Sequence, residues 1–164
     1  MAKDVTRRLL LSSAAALVVA PAMAQDRGAQ DRGAVTFVRD FYAREIARHA
    51  ANEGSSVPDL LAVFTADAQR LWRAAQANRN NANEPLGPIL HVFFGRGALP
   101  GREIRLDAVT ASGAGAVSVA LSIQGHPRQL AVRTVREGGA WKISDIDYGG
   151  GESFVAYFRR RAGR

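Results

Sequence analysis

The sequence has no cysteine. Thiolate nucleophiles, disulfides and cysteine metal sites are therefore excluded, and acid–base chemistry falls to three histidines and a few carboxylates. His91 lies inside the apolar run Ile89–Leu90–His91–Val92–Phe93–Phe94. A histidine in such a place is either a neutral, hydrogen-bonded core residue or, with an aspartate beside it, the base of a small hydrolase or isomerase. Asp107 and Asp145 are the aspartates that would complete that pair, with Asp40, Asp147 and Tyr42 as further titratable candidates. Asp145 and Asp147 stand two apart in a strand-like segment and share a face, where a solvated or helix-capping role is expected ahead of an acid–base pair. His49, on a helix flank, and His126, in a turn, are expected at the surface. The histidines lack any HxxxH spacing, and no GxSxG or phosphate-loop motif is present, so neither a metal nor a cofactor is expected. Gly149–Gly150–Gly151 is a hinge before a helix; Glu152 beside it opposes anion binding there.

The aromatic residues carry a second reading. Tyr42, Trp72, Phe93, Phe94 and Trp141 are core residues in the plainest interpretation. In the sharper one they line an apolar pocket between helices and sheet that takes a lipid or another small hydrophobic molecule.

Elements that would position these groups can be read in order. Lys3, Arg7 and Arg8 precede the apolar stretch Leu9–Ala20, and Pro21–Ala22–Met23–Ala24 ends in a small-x-small site. This is the pattern of an export signal (residues 1–24) cleaved after Ala24. Thr6–Arg7–Arg8–Leu9–Leu10 also resembles a twin-arginine signal. The repeat QDRGA-QDRGA over Gln25–Ala34 reads as a flexible leader, and the domain is expected from residue 35 to 164.

Val38, Phe41, Tyr42 and Ile46 form one apolar face of a first helix from about Val35 to Ala51. Pro58 suits a first helical turn, and Thr65 can cap a second run that ends near Ala77, so two helices are expected before the strands. Asn78–Asn83 favours local side-chain hydrogen bonds over regular structure. The segment around His91 is either a buried strand or a loop that plugs the core. Four strand-like runs follow: Glu103–Thr110, Ala116–Gln124, Arg128–Arg136 and Trp141–Asp147. Their turns are Ala111–Gly115, Gly125–Pro127 and Glu137–Gly139, and a slip at Asp145–Ile146 predicts a bulge. Phe154, Tyr157 and Phe158 make one face of a last helix, with Ser153 or Gly151 as its cap and Arg159–Arg161 at its C-terminal end. The order predicts an α+β domain with helices packed on one face of a curved antiparallel sheet.

The run Trp141–Ile146 with Gly150–Arg159 resembles the C-terminal signature of exported bacterial NTF2-like proteins of unknown function. Val38–Arg39–Asp40–Phe41–Tyr42 is similar to their first helix, and Leu61–Thr65 to their second helix start. The tryptophan strand followed by a Gly-x-Ser helix ending in Tyr-x-Arg is also similar to periplasmic phospholipid-shuttle proteins. The resemblance implies a cone-shaped NTF2-like fold, a periplasmic or secreted address, and binding of a small hydrophobic or amphiphilic ligand or an envelope protein. The acidic loop residue that such relatives carry before the first strand is missing from Val92–Gly97.

The net charge of +7 falls by two when residues 1–24 are removed. That residual charge suits solubility or an anionic surface. A nucleic-acid partner is not expected, because the arginines are dispersed and cluster only at Arg159–Arg161. After the signal no apolar run is long enough to span a membrane.

Overall fold

Alternating apolar residues in four consecutive segments produce the sheet that the rest of the chain packs against. The computed structural model describes residues 20–53, 57–81, 90–113 and 115–163; most of the expected export signal, residues 1–19, lies outside them. Helices α1 (Ala20–Ala50), α2 (Val57–Ala62) and α3 (Ala66–Asn81) come first. A short hairpin follows, β1 (Leu90–His91) with β2 (Gly95–Arg96). Strands β3 (Ile104–Ala111), β4 (Ala116–Ile123), β5 (His126–Glu137) and β6 (Ala140–Asp147) then form an antiparallel meander in the order β3-β4-β5-β6. Helix α4 (Phe154–Ala162) closes the described chain. This is an α+β architecture with a curved four-stranded antiparallel sheet. None of the described helices is long and apolar enough to cross a membrane.

Turn chemistry sets the strand registers. The β4–β5 turn is Gln124–Gly125 alone, both at positive φ, so His126 and Pro127 belong to β5 and pair with Ile123 and Ser122. The β5–β6 turn is Gly138–Gly139, again both at positive φ. Two-residue turns of this kind match the twist of the strands they join. The bulge expected in the last strand is present: Arg133 pairs Asp145 while Thr134 pairs Ile143, which leaves Ser144 extra.

Val117, Val119, Leu121, Val132 and Ile146 point to one face and are buried with Val38, Phe41 and Tyr42 of α1. The free edge of β6 is covered from Val63 to Thr65: Thr65 N–H donates to the Ile143 carbonyl at 3.0 Å, and Ile143 N–H to Val63 at 2.8 Å.

Two expectations change, and one left open is resolved. Residues 25–34 are not a flexible leader but part of α1, which runs over 31 residues. Gly33 lies against the Trp141 indole, where a Cβ would come within 3.0 Å of Nε1, and Ala34 is 2% exposed. That close contact seats the Gly33–Ala34 turn of the helix despite the low helix propensity of glycine. The asparagine segment does not end α3 at Ala77. The helix continues to Asn81, and Asn78 Nδ2 donates to the carbonyls of Arg161 and Ala162 at 3.3 and 2.8 Å. A residue that competes with its own helix instead satisfies the unpaired end of its neighbour. Lastly, the segment around His91 is a plug. Phe93 and Phe94 sit in the turn between β1 and β2 and are 1% and 2% exposed.

Inserting that turn among apolar side chains requires partners for its backbone. Tyr42 Oη donates to the Phe93 carbonyl at 3.0 Å, and Tyr148 Oη to the Val92 carbonyl at 2.6 Å. Phe93→Ala is expected to destabilise by about 3–5 kcal/mol through the cavity it leaves. Tyr42→Phe is expected to cost about 1–3 kcal/mol by stranding a buried carbonyl. Urea unfolding of the two variants checks both; a loss below 0.5 kcal/mol for Tyr42→Phe would mean that the carbonyl finds another partner.

Candidate functional site

The same hairpin that plugs the core carries His91 out to its rim. There the end of α1, helix α2 and the loop after β2 enclose an open cleft of about 230 Å³. Its lining is mixed: Leu60, Phe93, Ala98 and Pro100 are apolar, and Glu45, Arg48, His49, Asn52, Glu53 and His91 are polar. Helix periodicity places Glu45 and His49 here, since they continue the face of Val38, Phe41 and Tyr42 by steps of three and four.

The His91 ring stacks on Phe94 at 4.6 Å between centroids, and meets the His49 ring edge-on at 5.8 Å. Phe93 N–H donates to His91 Nδ1 at 3.3 Å. Nδ1 is thus an acceptor, and the neutral ring carries its proton on Nε2. Burial, helped by the charge of His49 when protonated, lowers the His91 pKa from 6.5 to about 4. His49 Nε2 lies 3.1 Å from the Arg102 carbonyl, which only accepts, so this nitrogen is the donor and Nδ1 the acceptor of the neutral ring. Both histidines line the one cleft. Glu45 is almost buried and accepts from Arg48 Nη1 at 3.2 Å.

Neither Asp107 nor Asp145 is brought to His91. Asp107 is exposed on β3 and accepts from Arg105 Nε at 2.9 Å. Asp145 Oδ1 accepts the backbone N–H of Val155 and of Ile146, each at 2.9 Å, and so ties the start of α4 to the β6 bulge. Asp147 accepts from Gly149 N–H at 2.8 Å. Asp40 and His126 are exposed, His126 as the first residue of β5. Backbone donors and a neighbouring guanidinium have claimed the carboxylates that the sequence offered to His91. The three residues are not one site: only His91 reaches the cleft.

The aromatic set is likewise not arranged around a cavity. Tyr42, Phe93 and Phe94 are closed into the core, Phe93 edge-on to Phe41 at 4.7 Å and Tyr42 tilted against Phe94 at 6.0 Å. Of these three, Phe93 alone reaches the cleft wall. Trp72 is half-buried on α3. Trp141 is held between Gly33 and the Arg136 guanidinium, 4.7 Å over its ring. Ring-to-ring contact fills the volume that a hydrophobic ligand would need.

A second, wider groove of about 580 Å³ runs between α3, α4 and the β5–β6 end of the sheet, past Leu71, Val135 and Val155. It holds no histidine, and Glu137 in its wall accepts the Ala66 N–H at 3.0 Å and so caps α3. Among the described residues no cluster of three or more His, Cys, Asp or Glu side chains fits a metal ion.

Comparison with family models, curated proteins and solved structures finds no match in any of the three. The cleft is therefore read on its own chemistry.

His91 links that chemistry to pH. The unfolded chain takes up this proton near pH 6.5 and the folded protein only near 4. Between those values the unfolded state binds more protons. Stability is thus complete above 6.5 and declines as the pH falls toward 4, by up to ~3 kcal/mol. Urea midpoints across pH 4–7 should show this slope in the wild type and lose it in His91→Gln. An unchanged slope in the variant would place the acid sensitivity elsewhere.

Proposed function

We propose that this protein is exported and binds a small amphiphilic molecule in the cleft beside His91, on an NTF2-like cone, without performing catalysis. One observation carries the reading: one cleft of about 230 Å³ is lined by both apolar and polar side chains. A molecule with a short apolar part and a polar end suits that mixed lining, whereas a purely apolar ligand leaves its polar groups unpaired. The volume lies below the ~300–1,000 Å³ of drug-sized sites. The ligand is accordingly a small molecule or the terminal portion of a longer one, and a whole phospholipid is not enclosed.

The enzyme reading is weaker. At neutral pH a histidine with a pKa near 4 is almost wholly neutral but too weak a base to drive proton abstraction. Its accepting nitrogen is already occupied by Phe93 N–H. The NTF2-like reading draws support from helix α1 lying along β3 and β4 of the curved sheet with the aromatic core between, and from the C-terminal Trp141–Arg159 signature. The export reading rests on residues 1–24.

Native mass spectrometry of the protein purified from its own periplasm tests the whole proposal. One bound small molecule per chain is expected, and Leu60→Trp, which fills space in the cleft, should abolish it. Recovery of the protein from the cytoplasm with an uncleaved N-terminus would overturn the export reading. A bare mass, with no response of cleft amides to added amphiphiles, would overturn the binding reading.

A further inference from the structure

We propose that the groove between α3, α4 and the sheet binds a small amphiphilic anion, in the simplest case a carboxylate on an alkyl chain. No residue lines both this groove and the cleft beside His91, so the two are separate sites. The groove is open at the surface. Its ligand exchanges freely and is not the molecule that the cleft is expected to retain.

Helix spacing assembles the apolar part. Ala68 and Leu71 stand three apart on α3, and Val155 faces the same space from α4. Val135 of β5 joins them. Among the described residues, Val135 and Leu99 are the large apolar side chains left exposed, Val135 at 41%. An alkyl chain that covers Val135 gains by removing that surface from water. The volume of about 580 Å³ falls within the ~300–1,000 Å³ of small-molecule sites.

Arg159 gives the ligand its charge. Three consecutive arginines end α4, and each goes a different way. Arg160 reaches Glu152 at 3.3 Å, and Arg161 lies 4.6 Å over the Tyr157 ring. Arg159 comes four residues after Val155 and lines the groove with it. Its side chain is exposed and makes no hydrogen bond or ion pair with any described residue. A guanidinium in that state can take a carboxylate with two parallel hydrogen bonds.

Asp67 and Glu137 also line the groove, but both are engaged. Asp67 pairs with Arg70, and Glu137 accepts the Ala66 N–H at 3.0 Å. Both are also set apart from Arg159. Phe64, just before α3, stacks on Phe154, the first residue of α4, while Asn78 near the end of α3 meets the last carbonyls of α4. The two helices therefore run side by side in one direction. The carboxylates mark the first turn of α3, and Arg159 stands on the second turn of α4. An anion at Arg159 is thus offset along the groove from both of them.

Octanoate and octanol share a tail and differ in charge. Each is titrated into the full-length protein at pH 7.5 and followed by backbone amide shifts at Leu71, Val135, Ser144 and Val155, with His49 and His91 reporting on the cleft. Octanoate is expected to shift the groove amides to saturation. Arg159→Gln should reduce its affinity about threefold and leave that of octanol unchanged. Val135→Ser should weaken both alike. Arg159 and Val135 are exposed, so both variants are expected to fold; an amide spectrum like that of the wild type away from the substituted residue confirms it. Octanoate binding that is indifferent to Arg159→Gln would overturn the anion assignment. Octanoate that shifts the cleft amides alone would overturn the groove site and leave the cleft reading standing. A dimer in solution that Val135→Lys splits would give the groove to a second copy of the chain and overturn the small-molecule assignment.

Discussion

A turn of backbone pushed into an apolar core must find a partner for each polar group it brings, and the structure is arranged around meeting that demand. The turn is Val92–Phe94. Its carbonyls accept from Tyr42 of α1 and from Tyr148 just after β6, and the Phe93 N–H donates to His91 of the same hairpin. Burial pushes both phenols well above their ordinary pKa, so they stay protonated and remain donors at any pH the fold meets. With the backbone satisfied, the two phenylalanines complete a continuous run of rings. Phe158 meets Phe154, Phe154 stacks on Phe64, Phe64 on Phe93, and Phe93 meets Phe41 of α1. Helix α4, the connection between α2 and α3, the plug and α1 are joined through one column of aromatic contacts.

This arrangement also fixes the cleft. His91 precedes the buried turn by one residue and Ala98 follows β2, so the plug holds one side of the cleft while α1 and α2 supply the other. A second anchor secures the hairpin from outside. Arg96 on β2 grips Glu152 with two hydrogen bonds, at 2.9 and 3.1 Å, and Arg160 of α4 reaches the same carboxylate at 3.3 Å. Hydrogen bonding from Arg96 holds the Glu152 carboxyl below its usual pKa. Core packing and cleft geometry are therefore one problem, and a change at Phe93 or Tyr42 is felt at His91.

Much of the fold was legible because local rules and tertiary demands agree. Period-two alternation marked the four strands of the meander, and glycines marked their turns to within two residues. Thr65 and Ser153 act as the caps that their positions announced, each accepting the N–H three residues on. Legibility failed where a residue serves a distant neighbour. Asn78 looked like a helix breaker because its partners, the carbonyls at the end of α4, lie more than eighty residues away. The QDRGA repeat looked flexible because nothing in it foretells the Trp141 indole that packs on Gly33. Asp145 looked free to pair with His91, yet the bulge beside it aims its carboxylate at the start of α4.

The sequence by itself determined the class of the fold, the identity and order of the sheet strands, the caps, and the exclusion of cysteine chemistry. These follow from residue type and near-neighbour spacing, which act over a few residues along the chain. Only the tertiary structure decided that Phe93 and Phe94 plug the core rather than line a pocket, and that the cleft is framed by His49, Glu45 and Glu53 with His91. Those outcomes turn on how α1, the plug and the loop after β2 meet in space. That meeting is set by the volume and hydrogen-bonding needs of a buried turn, not by any local pattern.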